Sequence, residues 1–238
     1  MPPPLWDDSY ALLRIIGDQL NDIEAVRIAQ QNRYRSLTSD EEWGQGVDPT
    51  GILFERVAAA NTQLEAVERH TVRTLQRAMA AHPLGSWVAN QPGIGEKTVA
   101  RLLGVTGNPA AREMPSQLWA YCGLYVIAGE APTRRRGTAG NWNDDARKRI
   151  WLVAQGTIKA TGDGNVARSP FRDVYDGARV KYEEATHERE CRRCGPSGQP
   201  AAVGSALADG HKHARAVRLV MKDILLDMWQ YAQDATLT

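Results

Sequence analysis

The sequence predicts a mainly α protein in which a long antiparallel coiled-coil hairpin, residues 1–82, precedes a compact helical domain, residues 83–238, that contains a helix-hairpin-helix. Three observations carry that expectation. In the first 82 positions apolar residues recur in alternating steps of three and four, the spacing of one helical stripe. At 90–107, "NQPGIGEKTVARLLGVTG" breaks a helical pattern with Pro92, Gly93 and Gly95 and resumes it at Thr98, Val99, Leu102 and Leu103. Further on, helix-start signals at Asn143–Asp145, Pro170 and Asp209 each open a helical stretch.

The elements follow in order. Asp7, Asp8 or Ser9 caps the first helix, and Leu13, Ile16, Leu20 and Ile23 form its stripe until Arg27 interrupts it, with an end expected near Tyr34. "SLTSDEEWGQGVDPTG" supplies the turn, after which Leu53, Val57, Ala60, Leu64, Val67 and Thr71 form the second half of a coiled-coil seam. The seam can pack within the chain or build a homodimer. After the glycine hairpin, "MPSQLWAYCGL" is expected as a short helix opened by Pro115 or Ser116 and closed by Gly123, with Leu118, Trp119 and Cys122 buried. "YVIAGEAPTRRRGTAGN" reads as a loop or short hairpin, and the helix after it reaches about Thr161. The last helix buries Val217, Val220, Met221, Ile224, Leu225, Met228 and Trp229.

Composition narrows the function classes. The 238 residues are 42% hydrophobic, enough for a core. No run of about 18 apolar residues exists, and "MPPPLWDDSY" lacks a basic start followed by an apolar segment, so neither a membrane span nor a signal peptide is expected and the location reads as cytoplasmic. Three cysteines argue against a disulfide framework and leave metal binding or plain burial. The net charge of +1 conceals an asymmetry: residues 1–82 carry 8 Lys+Arg against 12 Asp+Glu, and residues 83–238 carry 21 against 16. "TRRRG" (Arg134, Arg135, Arg136) and "ARKR" (Arg147, Lys148, Arg149) concentrate the positive charge in the manner of a nucleic-acid footprint.

The glycine turn carries its own chemical implication. Amides that open the helix after Gly93 and Gly95 have no helical partner and face outward, where a phosphate fits, with Lys97 and Arg101 beside them. A helix connection without any ligand would use the same glycines. Cys191 and Cys194 have the CxxC spacing that places two sulfurs on one tetrahedral ion, Gly195 permits the turn, and His211 or His213 follows, with His187 as a further ligand. The expectation is a structural zinc over residues 187–213; an exposed cysteine pair in a polar loop is the alternative.

Taken together, "QPGIGEKTVARLLGVTGNP", "SQLWAYCGL", the "TRRRG" run and "GHKHARAVRLVMKDILLDMW" occur in an order that resembles the C-terminal domain of insertion-sequence transposases of the IS-one-hundred-and-ten type, the bridge-RNA-guided recombinases. The resemblance spans roughly residues 84–232. It implies that the hairpin contacts a nucleic-acid backbone and that a coiled coil precedes the domain. In such transposases a RuvC-like domain with metal-binding acidic residues comes first, and a serine between the "AYxGL" helix and the basic run attacks DNA. Here only a few residues precede the first helix, so the former is not expected within this sequence. The interval reads "YVIAGEAP", without serine, and offers only Thr133 and Thr138 nearby.

Three readings follow: a non-catalytic accessory protein of a phage or mobile element that binds DNA, a recombinase or an integrase, and biases recombination direction; a recombinase subunit that borrows its catalytic domain from another chain; or a coiled-coil scaffold without nucleic acid.

Overall fold

Asp7 begins the first helix: its carboxylate accepts hydrogen bonds from the amides of Ser9 (2.9 Å) and Tyr10 (3.2 Å), two of the donors that a helix start leaves unpaired. A computed structural model describes residues 3–127, 129, 131–133, 137, 140–164, 167–192, 194–196 and 199–237, with Leu53 and Leu237 described by backbone alone. The helices are α1 (Asp8–Thr38), α2 (Ile52–Ala80), α3 (Gly85–Ala89), α4 (Glu96–Thr106), α5 (Pro115–Tyr121), α6 (Asp144–Lys159), α7 (Pro170–Lys181) and α8 (Asp209–Leu237), with a 3-10 turn at Pro109–Ala111. Among the described residues there is no strand, only the isolated bridges Thr186–Ala206 and Cys191–Ala201. No helix there is long and apolar enough to cross a membrane.

At 31 and 29 residues, α1 and α2 form an antiparallel pair about 45 Å long, and α1 extends past Tyr34 to Thr38. Only the end nearest the helical domain is dry. Tyr10, Leu13, Ile16 and Leu20 of α1 and Thr71, Leu75 and Met79 of α2 are buried there. Toward the far end the pairing is mixed: Arg27 forms an ion pair with Glu68, Gln31 donates to Glu65 (3.0 Å), and the Tyr34 and Phe54 rings meet edge-on with centroids 6.3 Å apart. Arg27 thus continues the α1 stripe rather than interrupting it. The expected α2 seam is corrected accordingly, because Val57, Ala60 and Val67 are exposed and only Leu64 and Thr71 of its described side chains are half-buried or buried. The packed face runs through Leu64, Glu68, Thr71, Leu75 and Met79, since the Arg27–Glu68 and Gln31–Glu65 contacts fix the rotation of α2 more tightly than its scattered valines do.

The helical domain closes on this dry end. Val99, Leu102 and Leu103 of α4, Leu118 of α5, Ile150 and Val153 of α6 and Val217, Ile224, Leu225 and Met228 of α8 join the α1 and α2 residues in one core. Two close approaches set its geometry. A Cβ on Gly104 would lie 2.9 Å from the Cα and 3.0 Å from the amide nitrogen of Arg14, so α1 and α4 cross backbone against backbone. In the turn before α4, Gly93 takes φ 82°, and a Cβ there would lie 2.6 Å from the Gly156 carbonyl, so the hairpin is seated on α6. Asn143 caps α6 by accepting from the Ala146 amide (2.9 Å), and Pro115 opens α5. Cys122 is fully buried, and burial pushes its thiol up to about 12. Trp229 is only half-buried, its indole N–H donating to the Arg112 carbonyl (2.9 Å).

Where α2 meets α3, His82 is buried against Tyr10, and its Nδ1 accepts from the Leu84 amide (3.1 Å). Burial, opposed by Asp7, lowers its pKa to about 4.

Gly104→Ala tests the helix crossing. Helix propensity alone would stabilise this substitution by about 1 kcal/mol, whereas the clash with the Arg14 backbone should destabilise it by about 1–3 kcal/mol. Denaturant unfolding reads the sign, and a gain in stability would contradict the crossing. His82 supplies a pH test. Unfolded, it titrates near 6.5, so the native state binds fewer protons; its contribution is complete above that pH and is lost as pH falls from about 6.5 through about 4. The loss should amount to about 3 kcal/mol, and His82→Phe should flatten that part of the unfolding profile.

Candidate nucleic-acid interface and metal centre

The positive residues divide into two sets, and α1 makes the division. Glu24 accepts from Lys97 (2.9 Å) and from Arg101 (2.8 Å), while Asn21 accepts from Arg101 and from Arg149 (2.6 Å). The Arg101 side chain is only 10% exposed and that of Arg149 only 6%. Burial by itself would raise the Glu24 carboxyl, but hydrogen bonds from Arg101 and Lys97 outweigh it and hold the group below the usual carboxylate range. Burial first, and neighbouring Arg101 second, lower the Arg149 guanidinium. Arg101 and Arg149 therefore bind α4 and α6 to α1 and do not stand on the surface as a phosphate grip would. Lys97 and Arg101, both on α4, pair with the Glu24 carboxylate, so none of the three is left as an unpaired charge inside the crossing.

The hairpin itself keeps one open feature. Gly95 occupies the N-cap of α4 with no side-chain cap, and a Cβ there would meet nothing within 4 Å. An anion approaching the first turn of α4 also meets Glu96. Gly93, by contrast, faces α6.

The second set lies on α6. Lys148 is exposed, and Arg147 donates to the Pro132 carbonyl (3.1 Å). One turn on from Lys148, Trp151 is 45% exposed, which places an aromatic face beside a cation. The sequence signal for Trp151 was its i+3 spacing from Lys148, on the side opposite Ile150 and Val153. Arg134, Arg135 and Arg136 lie outside the described residues, as does Thr138. Thr133 is exposed.

The metal-ligating residues converge between α7 and α8. One ligand atom each from His187, Cys191, Cys194 and His211 lies within 4.8 Å of all the others. The backbone assembles them: Cys191 and Ala201 exchange hydrogen bonds at 3.0 and 2.8 Å, and His187 pairs with Ser205 and Gly204 at 2.9 and 2.8 Å. His211 Nδ1 lies 3.3 Å from Cys194 Sγ and 3.8 Å from Cys191 Sγ. Those spacings match the edge of about 3.5 Å expected between N and S ligands on a tetrahedral zinc. His187 fits the same role from its own hydrogen bonds. Its Nδ1 is 2.9 Å from the Ser205 carbonyl, which can only accept, so Nδ1 carries the proton and Nε2 carries the lone pair. That Nε2 is buried without a hydrogen-bond partner, the condition of a metal ligand whose second nitrogen is anchored by a carbonyl.

His213 does not join the group. Two residues along α8 from His211, it points elsewhere and its Nδ1 lies 2.8 Å from the Tyr175 hydroxyl. His187 takes the fourth position instead. These four residues could hold a metal ion such as zinc.

A comparison with curated proteins gave no match. Residues 86–167, which contain the glycine hairpin, α4, α5 and α6, match the family model described as Transposase IS116/IS110/IS902 family, so this stretch of the chain is similar to the corresponding domain of those transposases.

Proposed function

We propose that this protein binds the sugar–phosphate backbone of DNA as a non-catalytic accessory factor of a mobile element, acting beside a recombinase or integrase whose direction it biases. The family match over residues 86–167 carries this reading, because the stretch holds both the hairpin and the exposed cationic turn of α6. Lys148 and Arg147 supply charge, Trp151 supplies a stacking face, and the open N-terminus at Gly95 supplies amides; phosphates need nothing more selective. The run Arg134 to Arg136, within the same matched stretch of sequence, adds three further positive charges to this reading.

Absence of chemistry in the same stretch is the second half of the proposal. Residues 125–133 read "YVIAGEAPT", with no serine. Cys122 is buried and held protonated, so it is no nucleophile. A threonine nucleophile would need a base or metal oriented on its hydroxyl.

Zinc bound by His187, Cys191, Cys194 and His211 has a structural part in this reading. Four protein ligands leave no open position for substrate, so the ion would pin the α7–α8 loop rather than activate water.

Two expected outcomes follow. Purified protein with magnesium or manganese should neither cleave nor join DNA, and its DNA binding in gel shifts should weaken steeply with salt. Lys148→Ala should reduce the log–log salt slope by about one, and replacing Arg134 to Arg136 by alanine should reduce it by about two to three. Strand cleavage or a covalent adduct that disappears in Thr133→Ala would overturn the non-catalytic reading. Metal analysis of protein purified without chelator should give about one zinc per chain. Cys191→Ser and His187→Ala should lose the metal, while His213→Ala should keep it; a zinc content near zero in the unaltered chain would refute the site.

A further inference from the structure

A cavity of about 280 Å³ lies against the Cys/His cluster, with His187, Cys191 and His211 in its wall. Five arginines line it: Arg147 from α6, Arg189 and Arg192 from the loop that carries the cysteines, and Arg215 and Arg218 from α8. Among the described lining residues the arginines outnumber the two carboxylates, Glu188 and Glu190, by three. Gly129, Ala131, Pro132 and Thr133 complete the lining.

This collection follows from the fold. His211, Arg215 and Arg218 are spaced i, i+4 and i+7, one face of α8, so the helix that offers a metal ligand also offers two guanidiniums to the same side. Arg192 sits between the two cysteines in sequence, and Arg189 precedes the first, so closing the cluster gathers both toward α8. The stems are held as well: Arg147 donates to the Pro132 carbonyl (3.1 Å), and Arg215 lies over the Tyr182 ring, 5.7 Å from its centroid. Gathering guanidiniums in one recess costs repulsion, which an anion relieves.

We propose that this cavity is a receptor for a terminal phosphate monoester, and that the metal-loaded cluster holds it in shape. The inference rests on the nucleic-acid reading above. An internal phosphate of a duplex is flanked by sugars on both sides and lies on a convex surface, which suits an exposed cation such as Lys148. A recess with guanidiniums from three elements suits a phosphate joined to the rest of its molecule on one side only and carrying close to two negative charges. That chemistry belongs to the 5′ end of a nucleic-acid strand and also to a free nucleoside monophosphate.

The test uses the full-length chain loaded with zinc and a short single-stranded oligonucleotide labelled at its 3′ end, carrying either a 5′-phosphate or a 5′-hydroxyl. Anisotropy titrations should show the phosphorylated strand binding about tenfold more tightly. Arg192→Gln with Arg215→Gln should erase the difference while leaving the affinity of the 5′-hydroxyl strand and the thermal unfolding midpoint nearly unchanged. Chelation should erase it and added zinc restore it. Adenosine monophosphate competing as well as the phosphorylated strand would support the pocket and identify the free nucleotide as its ligand; failure of the monophosphate to compete, with the end preference intact, would support it and identify the strand end. Equal binding of both strands with no competition by the monophosphate would overturn the pocket, even with backbone binding intact. Loss of all oligonucleotide binding, with calorimetry still detecting the monophosphate, would instead remove the backbone reading and keep the pocket.

Discussion

Glu24 is the point on which the arrangement of this protein turns. A single carboxylate on α1 accepts from Lys97 and Arg101 on α4, and Asn21, one turn earlier, accepts from Arg101 and from Arg149 on α6. These contacts work because Gly104 lets α1 and α4 cross with their backbones in contact, so that side chains of moderate length meet across the interface. Removing the carboxylate would leave Arg101, almost enclosed, without its counter-charge, the costly half of any buried pair.

That crossing sets the direction of everything farther along the chain. With α4 fixed on α1 and Gly93 seated on Gly156, the hairpin and α6 are packed together, and Arg149 turns inward while Lys148 and Trp151 turn outward. The antiparallel pair of α1 and α2 is therefore a brace for α4 and, through Asn21 and Arg149, for α6. Its far half, held by Arg27–Glu68 and Gln31–Glu65, buries little and carries exposed apolar side chains such as Val26, Ile28 and Val67.

The Cys/His cluster plays the corresponding part at the other end. Among the described residues, the segment between α7 and α8 is ordered by isolated bridges and scattered backbone hydrogen bonds rather than by a helix or a sheet. Four ligand atoms already gathered within 4.8 Å, one of them a buried nitrogen with no partner, supply the missing cross-link once an ion binds. On the proposed reading, the cations of α6 and the cavity beside the cluster are two anion surfaces, one convex and one concave, that adjoin at Arg147.

Much of this was legible in the sequence because the signals are local. Helix starts depend on a cap within four residues, which is why Asp7, Asn143 and Pro115 mark real boundaries. The glycine turn at 93–95 and the pairing of Cys191 with Cys194 are fixed by neighbours in the chain, and the family resemblance rests on the same short segments. Which cations face solvent was not legible. "ARKR" offers three equivalent charges, and only the approach of Asn21 from a distant helix takes Arg149 inside and leaves Lys148 out. The choice of His187 over His213 was equally a matter of tertiary structure, since both lie at plausible spacing and the decision fell to the Ser205 carbonyl and the Tyr175 hydroxyl. Sequence thus determined the helices, the turn and the ligand types, because each is set by contacts a few residues long. Only the folded chain decided which charges are internal and which histidine completes the cluster, because those depend on partners brought together from far apart.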